Sequence, residues 1–396
     1  MPDPRTDTPR CLVCGGADLT ELARLRDLPL ACNVPAASEA EALGVPRGDI
    51  ALTACRDCGH VFNAAFEADR LGYDERYENA LDFSPRFREH QDRTVERLVE
   101  RYALAGGTVV DIGCGLAGFL RRLCEAGVAH GIGFDPGRPD IRGEPVAAGT
   151  LTVHGRAFRA GDVPEARLLS ARHVLEHLTD PVGFLVMVGE GRNAALYLEV
   201  PDGRFTVERL GIWDLVYEHV SLFTPPSLST ALALAGLRGT PPRSAFGGQF
   251  LWTEATSGPA DAVLPDGELL DAFAAYPRRH RAMLEGWRGF VERRLRQGLR
   301  LALWGAGSKG VTFLNMLGLR AGSGLDVAVD VNPRKAGTHI PGTGQRTLPP
   351  EALAASPPDT VLVMNPEYLA EIAGTLERLG LGAELVPVSG CEAPYP

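Results

Sequence analysis

The chain has 396 residues, enough for two or three domains, and 45% of them are hydrophobic, so a sizeable core can form. A net charge of −10 with no basic stripe excludes non-specific nucleic-acid binding. No apolar run is long enough to cross a bilayer, and Met1–Asp7 carries no apolar signal core, so a cytoplasmic protein without membrane partners is expected.

In that compartment the eight cysteines should be thiols or metal ligands, not disulfides. Cys11-Leu12-Val13-Cys14-Gly15 and Cys55-Arg56-Asp57-Cys58-Gly59 are two knuckles, each with two thiols on a tight turn. Four thiolates suit a closed tetrahedral zinc site, which is structural and names no reaction. A redox Cys-x-x-Cys is the rival, but two copies without a neighbouring helix argue against it. Cys32 and His60 are lesser candidate ligands. A tyrosine-rich stretch, Tyr73 to Glu78, follows, and then the apolar spacing of Val95, Leu98 and Tyr102 predicts a helix from about Phe87 to Tyr102.

The stretch Val109-Val110-Asp111-Ile112-Gly113-Cys114-Gly115-Leu116-Ala117-Gly118 reads as a buried strand, a glycine turn and a helix start. Gly113, Gly115 and Gly118 fit G-x-G-x-x-G, and Phe134-Asp135 end the next strand, which is the layout of a Rossmann nucleotide site. The acid at the strand tip decides which nucleotide. A carboxylate at Asp111 repels a pyrophosphate seated on the helix N-terminus and attracts a cationic ligand. The reading is therefore S-adenosylmethionine (SAM), not NAD: Asp111 meets the methionyl ammonium and Asp135 the ribose hydroxyls. The cofactor residues expected are Asp111, Gly113, Gly115, Gly118, Phe134 and Asp135.

Residues 167–171 read as a fourth strand, and Arg172-His173-Val174-Leu175-Glu176-His177-Leu178 follows at the carboxyl edge where open α/β sheets bind ligands. His177 is a candidate there. Residues 195–201 read as a fifth strand stopped by Pro201. Beyond it, Trp213 to Thr224 packs Tyr217, Glu218 and His219 between apolar residues. An acid beside a histidine can orient it and make it a base near neutral pH. Gly247-Gly248 permits a bulge or a close backbone approach. Residues 266–300 read as one long helix or two, interrupted near Pro277, with Arg278–Arg281 a solvated face.

A second G-x-G-x-x-G, Gly305-Ala306-Gly307-Ser308-Lys309-Gly310, again follows a strand, and Asp330 ends the next one. No acid precedes this loop. Lys309 lies inside it, and Lys335, the other of the chain's two lysines, follows Asp330 and Asn332. Backbone N–H groups with an ammonium suit an anion, most simply a phosphate. Gly305, Gly307, Lys309, Asp330, Asn332 and Lys335 are the candidate acceptor-binding residues.

Taken together, Cys11–Cys14, Cys55–Cys58, Asp111–Gly118, Val174–His177, Glu218–Phe223, Gly305–Gly310, Val329–Gly337 and Ile340–Thr343 resemble the bacterial sugar C-methyltransferases, which act on nucleotide-linked 4-keto-deoxysugars. The resemblance covers nearly the whole chain. It implies an α/β protein with a small zinc-binding domain (1–68), a class I SAM-methyltransferase Rossmann-like domain (69–260), a helical linker (261–299) and a second Rossmann-like domain that binds the acceptor (300–396). It also implies that His219 removes a proton beside the keto group, with His177 and Tyr77 close to the substrate. Glu218 would orient His219, and Tyr77, Tyr217 or His177 would donate to the developing enediolate. Where the family usually has tyrosine and histidine, this chain has Val216 and Tyr217, and Gln249 replaces the serine after the glycine pair. The acceptor is the property these departures touch. Oxygen or nitrogen methylation of a small natural-product metabolite, a nicotinamide oxidoreductase using the second loop, and a zinc-organised binding module are the alternatives.

Overall fold

The computed structural model describes residues 9–72, 76–78, 80–162, 165–190 and 194–388. Residues 73–75 of the tyrosine-rich stretch lie outside them. Among the described residues no helix is long and apolar enough to cross a membrane. The strands among the described residues form three sheets.

The first is antiparallel, in the order Leu19–Pro29, Arg47–Cys55, Val61–Asn63 and Ser221–Leu222. Its last strand comes from far along the chain: Ser221 pairs with Phe62 and Leu222 with Val61. The segment carrying Glu218 and His219 is thus stitched to the cysteine-bearing part of the molecule.

The second sheet has nine strands, and its centre is parallel. Thr108–Ile112 lies between His130–Phe134 and Leu168–Arg172, and Ala195–Pro201 follows beyond Leu168–Arg172. Antiparallel strands close both sides, Phe250–Ser257 against Ala195–Pro201 and Ile141–Val146 against Gly149–His154. Central strands covered by helices on both faces read as unbroken apolar runs. Ala195–Pro201 is buried along its whole length. The predicted helix forms as Pro85–Arg101, with Ser84 capping its start and Phe87, Gln91, Thr94, Val95 and Leu98 on its buried face.

The third sheet is all parallel, in the order Arg346–Leu348, Val327–Val329, Leu301–Trp304, Thr360–Val363 and Glu384–Pro387. The sequence reading of a second Rossmann-like unit agrees with this sheet.

The link before it departs from expectation. Gly267–Arg296 is one continuous helix that runs through Pro277. Proline removes one backbone hydrogen bond and crowds the preceding turn. Here it sits on the exposed face, while Leu269, Phe273, Tyr276, His280, Met283, Trp287, Phe290 and Val291 form a buried stripe. Burying a large apolar side chain contributes about 1.5–3 kcal/mol, so the stripe outweighs a cost of about 3 kcal/mol at the proline. The Arg278–Arg281 run is likewise not uniformly solvated, because His280 is buried and stacks on Tyr276 at 5.4 Å.

Candidate active site

The two cysteine knuckles meet as the sequence predicts. Cys11 Sγ lies 3.6 Å from Cys58 Sγ, and Cys14 Sγ lies 3.6 Å from Cys55 Sγ. Four sulfurs at about 2.3 Å from one zinc ion in a tetrahedron would stand about 3.8 Å apart, so this donor set fits zinc with little movement. His60 and Cys32 do not join it. The His60 ring is buried and pairs with Ser221 Oγ at 3.2 Å, and Cys32 lies beside Glu218.

Both glycine loops open into one cleft of about 610 Å³. They are built alike. At the first, Gly113 N–H donates to the Phe134 carbonyl at 2.8 Å, and Asp135 accepts from Gly115 N and Gly137 N, each at 2.9 Å. At the second, Gly305 N–H donates to the Val329 carbonyl at 2.8 Å, and Asp330 accepts from Ala306 N and Asn332 N, each at 2.9 Å. The acid at the end of the second strand therefore shapes each loop before any ligand arrives. Gly113 requires the absence of a side chain: its φ is +69°, and a Cβ would come within 2.3 Å of Val174.

The acid that distinguishes the first loop lines the cleft. Asp111 is 3% exposed and accepts from Ser170 Oγ at 2.6 Å. Burial pushes its carboxyl up to about 6. A buried carboxylate at the strand tip is the acceptor a methionyl ammonium needs, and the glycine turn leaves room beside it. Phe134 and Asp135 stand at the margin of this arrangement. Phe134 does not line the cleft: it is buried in the core, stacked on His154 at 4.9 Å. Asp135 is partly exposed and spends its carboxylate oxygens on the turn it caps, accepting from Gly115 N and Gly137 N.

Within residues 211–220 only Asp214 and His219 escape full burial, and both line the cleft. His219 Nδ1 lies 3.2 Å from the Asp214 carbonyl, and His177 Nδ1 lies 2.9 Å from the Glu218 carbonyl. A carbonyl only accepts, so both rings donate from Nδ1, and a neutral ring keeps its basic lone pair on Nε2. Burial holds His219 down to about 4, so its ring is neutral at pH 7 and able to take a proton. The two rings stand 5.0 Å apart and nearly perpendicular.

The expected carboxylate and phenol of this segment point elsewhere. Glu218 Oε1 accepts from Cys32 N at 2.8 Å, and burial pushes the carboxyl up to about 7. Tyr217 is buried against Phe66, its hydroxyl accepting from Glu67 N at 2.9 Å, and it does not line the cleft. Both side chains bond to backbone that flanks the first sheet, Cys32 after its first strand and Glu67 after its third. Tyr77 does line the cleft, and its hydroxyl accepts from Asn33 Nδ2 at 3.3 Å.

At the second loop, Gly305, Gly307, Lys309, Asp330, Asn332 and Lys335 all line the cleft. Lys309 Nζ is paired with the Asp214 carboxylate, and Lys335 Nζ stands 3.4 Å from Asp330. Glu78 receives Asn332 Nδ2 and Arg334 Nη1, each at 3.0 Å. An arriving anion would therefore compete with acids already in place.

Sequence reasoning missed a charged cluster on the opposite wall. Arg172 pairs with Glu199 at 2.9 Å and lies over the Phe119 ring. His173 stands between Glu176 and Glu199, at 3.3 and 3.5 Å. Gln249 and Asn365 form a reciprocal amide pair at 2.8 and 3.1 Å on the cleft wall. The i, i+3 spacing of His173 and Glu176 was the available signal, and it becomes legible only with the one-turn helix Leu175–His177 in place.

Comparison with known proteins agrees with this layout. Residues 87–241 match the methyltransferase domain family, and residues 266–387 match the C-methyltransferase C-terminal domain family. No curated protein matches the chain. Among solved structures, magnesium protoporphyrin IX methyltransferase of Synechocystis PCC 6803 with bound SAH is 18% identical over 44% of this chain and 84% of its own, with a TM-score of 0.34. A putative S-adenosylmethionine-dependent methyltransferase of Listeria monocytogenes is 14% identical over 42% of this chain and 97% of its own, at 0.32. The 1,6-didemethyltoxoflavin-N1-methyltransferase of Burkholderia thailandensis is 13% identical over 42% and 78%, also at 0.32. With a methyltransferase domain followed by a C-methyltransferase C-terminal domain, the chain belongs to the SAM-dependent C-methyltransferase family.

Proposed function

We propose that the chain methylates a carbon next to a keto group, and that the acceptor is a nucleotide-linked deoxysugar or a related metabolite handled in the cytoplasm. The observation that carries this reading is that both glycine loops and both histidines line one cleft. When bound, SAM supplies an electrophilic methyl group. Asp111 and the turn Gly113–Gly118 hold it, with Asp135 shaping the turn.

A carbon acid is a poor nucleophile until it loses a proton. His219 Nε2 takes that proton: the C–H bond breaks, an N–H bond forms, and the electron pair moves toward the keto oxygen. Tyr77, whose hydroxyl accepts from Asn33 and carries a proton of its own, is the donor that stabilises the charge developing there; His177 donates its one N–H to the Glu218 carbonyl and keeps a lone pair on Nε2, so it orients but does not donate. The turn Gly305–Lys309, with Asn332 and Lys335, holds the anionic end of the acceptor. Holding the two reactants from opposite walls of one cleft contributes as much as the base does. The four cysteines hold a structural zinc ion, and no step passes through it.

The test is solvent exchange. The chain is incubated in deuterium oxide with S-adenosylhomocysteine and nucleoside-diphosphate-linked 4-keto-deoxysugars. Exchange at the carbon beside the keto group is expected. Methyl transfer to an acceptor without exchange would point to oxygen or nitrogen methylation.

A further inference from the structure

A carboxylate that is not its neighbour in sequence stands close to His219. Glu176 is fully buried, lines the cleft, and neither of its carboxylate oxygens accepts an aligned hydrogen bond among the described residues. One of its oxygens and one ring nitrogen each from His177 and His219 lie within 4.8 Å of one another. A buried carboxylate without hydrogen bonds is costly unless opposite charge stands close.

His173 supplies that charge. Its Nδ1 faces Glu176 at 3.3 Å and its Nε2 faces Glu199 at 3.5 Å. A neutral ring has one N–H and would turn a lone pair toward one of the two carboxylates, whereas an imidazolium sets positive charge at ion-pair distance from both, without an aligned hydrogen bond to either. The backbone holds the ring there: His173 has φ +55°, and its N–H donates to the Glu199 carbonyl at 2.7 Å. A side chain in the left-handed region persists where its surroundings over-determine it, and such residues gather at functional sites. Behind Glu199 stand Arg172, His90 and the Tyr197 hydroxyl. Around His219 the charged and titratable groups are His177, Glu176, Asp214 and His173, with Lys309 neutralising Asp214.

We propose that Glu176 is the carboxylate partner of His219, and that His173, as an imidazolium clamped between Glu176 and Glu199, keeps it ionised and in place. This rests on the reading of His219 as the base. When His219 Nε2 takes the acceptor's proton the ring becomes a cation, and the fixed negative charge of Glu176 stabilises it while no proton moves on Glu176 itself. Glu176 and His173 are thus positioning residues. Glu218 is held through Oε1 by Cys32 N, and it is a Glu176 oxygen that stands within 4.8 Å of the His177 and His219 ring nitrogens.

The test uses the full-length chain with nitrogen-15-labelled histidine, as wild type, Glu176→Gln, Glu218→Gln and, to assign the signal, His173→Gln. Wild type should show both His173 ring nitrogens protonated at about pH 7.5, well above the ordinary histidine midpoint of about 6.5. Glu176→Gln should lower the His173 midpoint by about one pH unit or more, and Glu218→Gln should leave it unchanged. A neutral His173 at that pH, or the same midpoint in Glu176→Gln, overturns the proposal. In the second arm, a nucleoside-diphosphate-linked 4-ketosugar is exchanged in deuterium oxide with S-adenosylhomocysteine. Glu176→Gln should lower the maximal exchange rate about 100-fold with KM little changed, Glu176→Asp should recover part of it, and Glu218→Gln should cost less. Wild-type exchange rates in Glu176→Gln overturn the proposal. If wild type does not exchange this probe, the functional reading falls, and the histidine titration still decides whether His173 is the imidazolium.

Discussion

Asp111→Asn separates what the first glycine loop contributes to binding from what it costs the fold. The substitution keeps shape and can still accept the Ser170 hydroxyl, which stands 2.6 Å from Asp111 Oδ1, so it changes charge more than geometry. A hydrogen bond to a charged group contributes about 1.5–3 kcal/mol, and at about 1.4 kcal/mol per decade SAM should bind roughly 10- to 150-fold more weakly. The same carboxyl makes wild-type binding depend on pH. Burial raises it from 3.8 to about 6, so it is ionised at pH 7 and protonated at pH 5. Wild-type affinity should fall by up to about tenfold per pH unit below about pH 6, and that dependence should vanish in the variant. The sign for stability is opposite. A carboxyl whose folded value lies above its unfolded value costs the fold stability above that range, and the cost fades as pH drops toward the unfolded value. At pH 7 the cost is of the order of 1–3 kcal/mol, so Asp111→Asn should melt higher than wild type even as it loses SAM. Calorimetric titration with SAM from pH 5 to 8, beside thermal unfolding without ligand, reads both. Unchanged SAM affinity in the variant, or wild-type affinity flat across pH 6, would refute the reasoning.

His219→Asn keeps the donor to the Asp214 carbonyl but has no imidazole to take a proton, so kcat should fall about 10²–10⁴-fold with SAM binding intact; near wild-type turnover would remove His219 as the base. Elemental analysis should find one zinc ion per chain, and Cys55→Ser should loosen the first sheet while SAM affinity largely survives; zinc-free protein that is stably folded would contradict the assignment. Lys309→Met breaks the pair with Asp214 and removes an ammonium from the second loop, so acceptor KM should rise several-fold with SAM affinity unchanged, an effect that weakens in high salt if the contact is exposed; an unchanged KM would place the acceptor's anion elsewhere.

Much of the architecture was legible because it rests on local rules. Two C-x-x-C turns, two glycine loops each after an apolar strand, and an acid at the end of each following strand are short patterns with a physical cause. The geometry bears each of them out, down to the matching hydrogen bonds of Asp135 and Asp330. What was misread depended on pairings distant in sequence. Glu218 looked like the partner of His219 because it is its neighbour, but its Oε1 accepts from Cys32 N. The Tyr217 hydroxyl is likewise taken by Glu67 N. Glu176 is one residue from His177 in sequence, and only the turn of Leu175–His177 brings it near His219. Pro277 was given the weight of an isolated helix breaker, while the buried stripe beside it, from Phe273 to Met283, was invisible without the surfaces it covers.

The proposed chemistry sends the methyl group to carbon. The most direct measurement is turnover with SAM labelled with carbon-13 in its methyl group, using nucleoside-diphosphate-linked 4-keto-deoxysugars, with the product read by NMR. A labelled methyl bonded to the carbon beside the keto group, and lost in His219→Asn, is the predicted result. A labelled methyl on oxygen or nitrogen would contradict it.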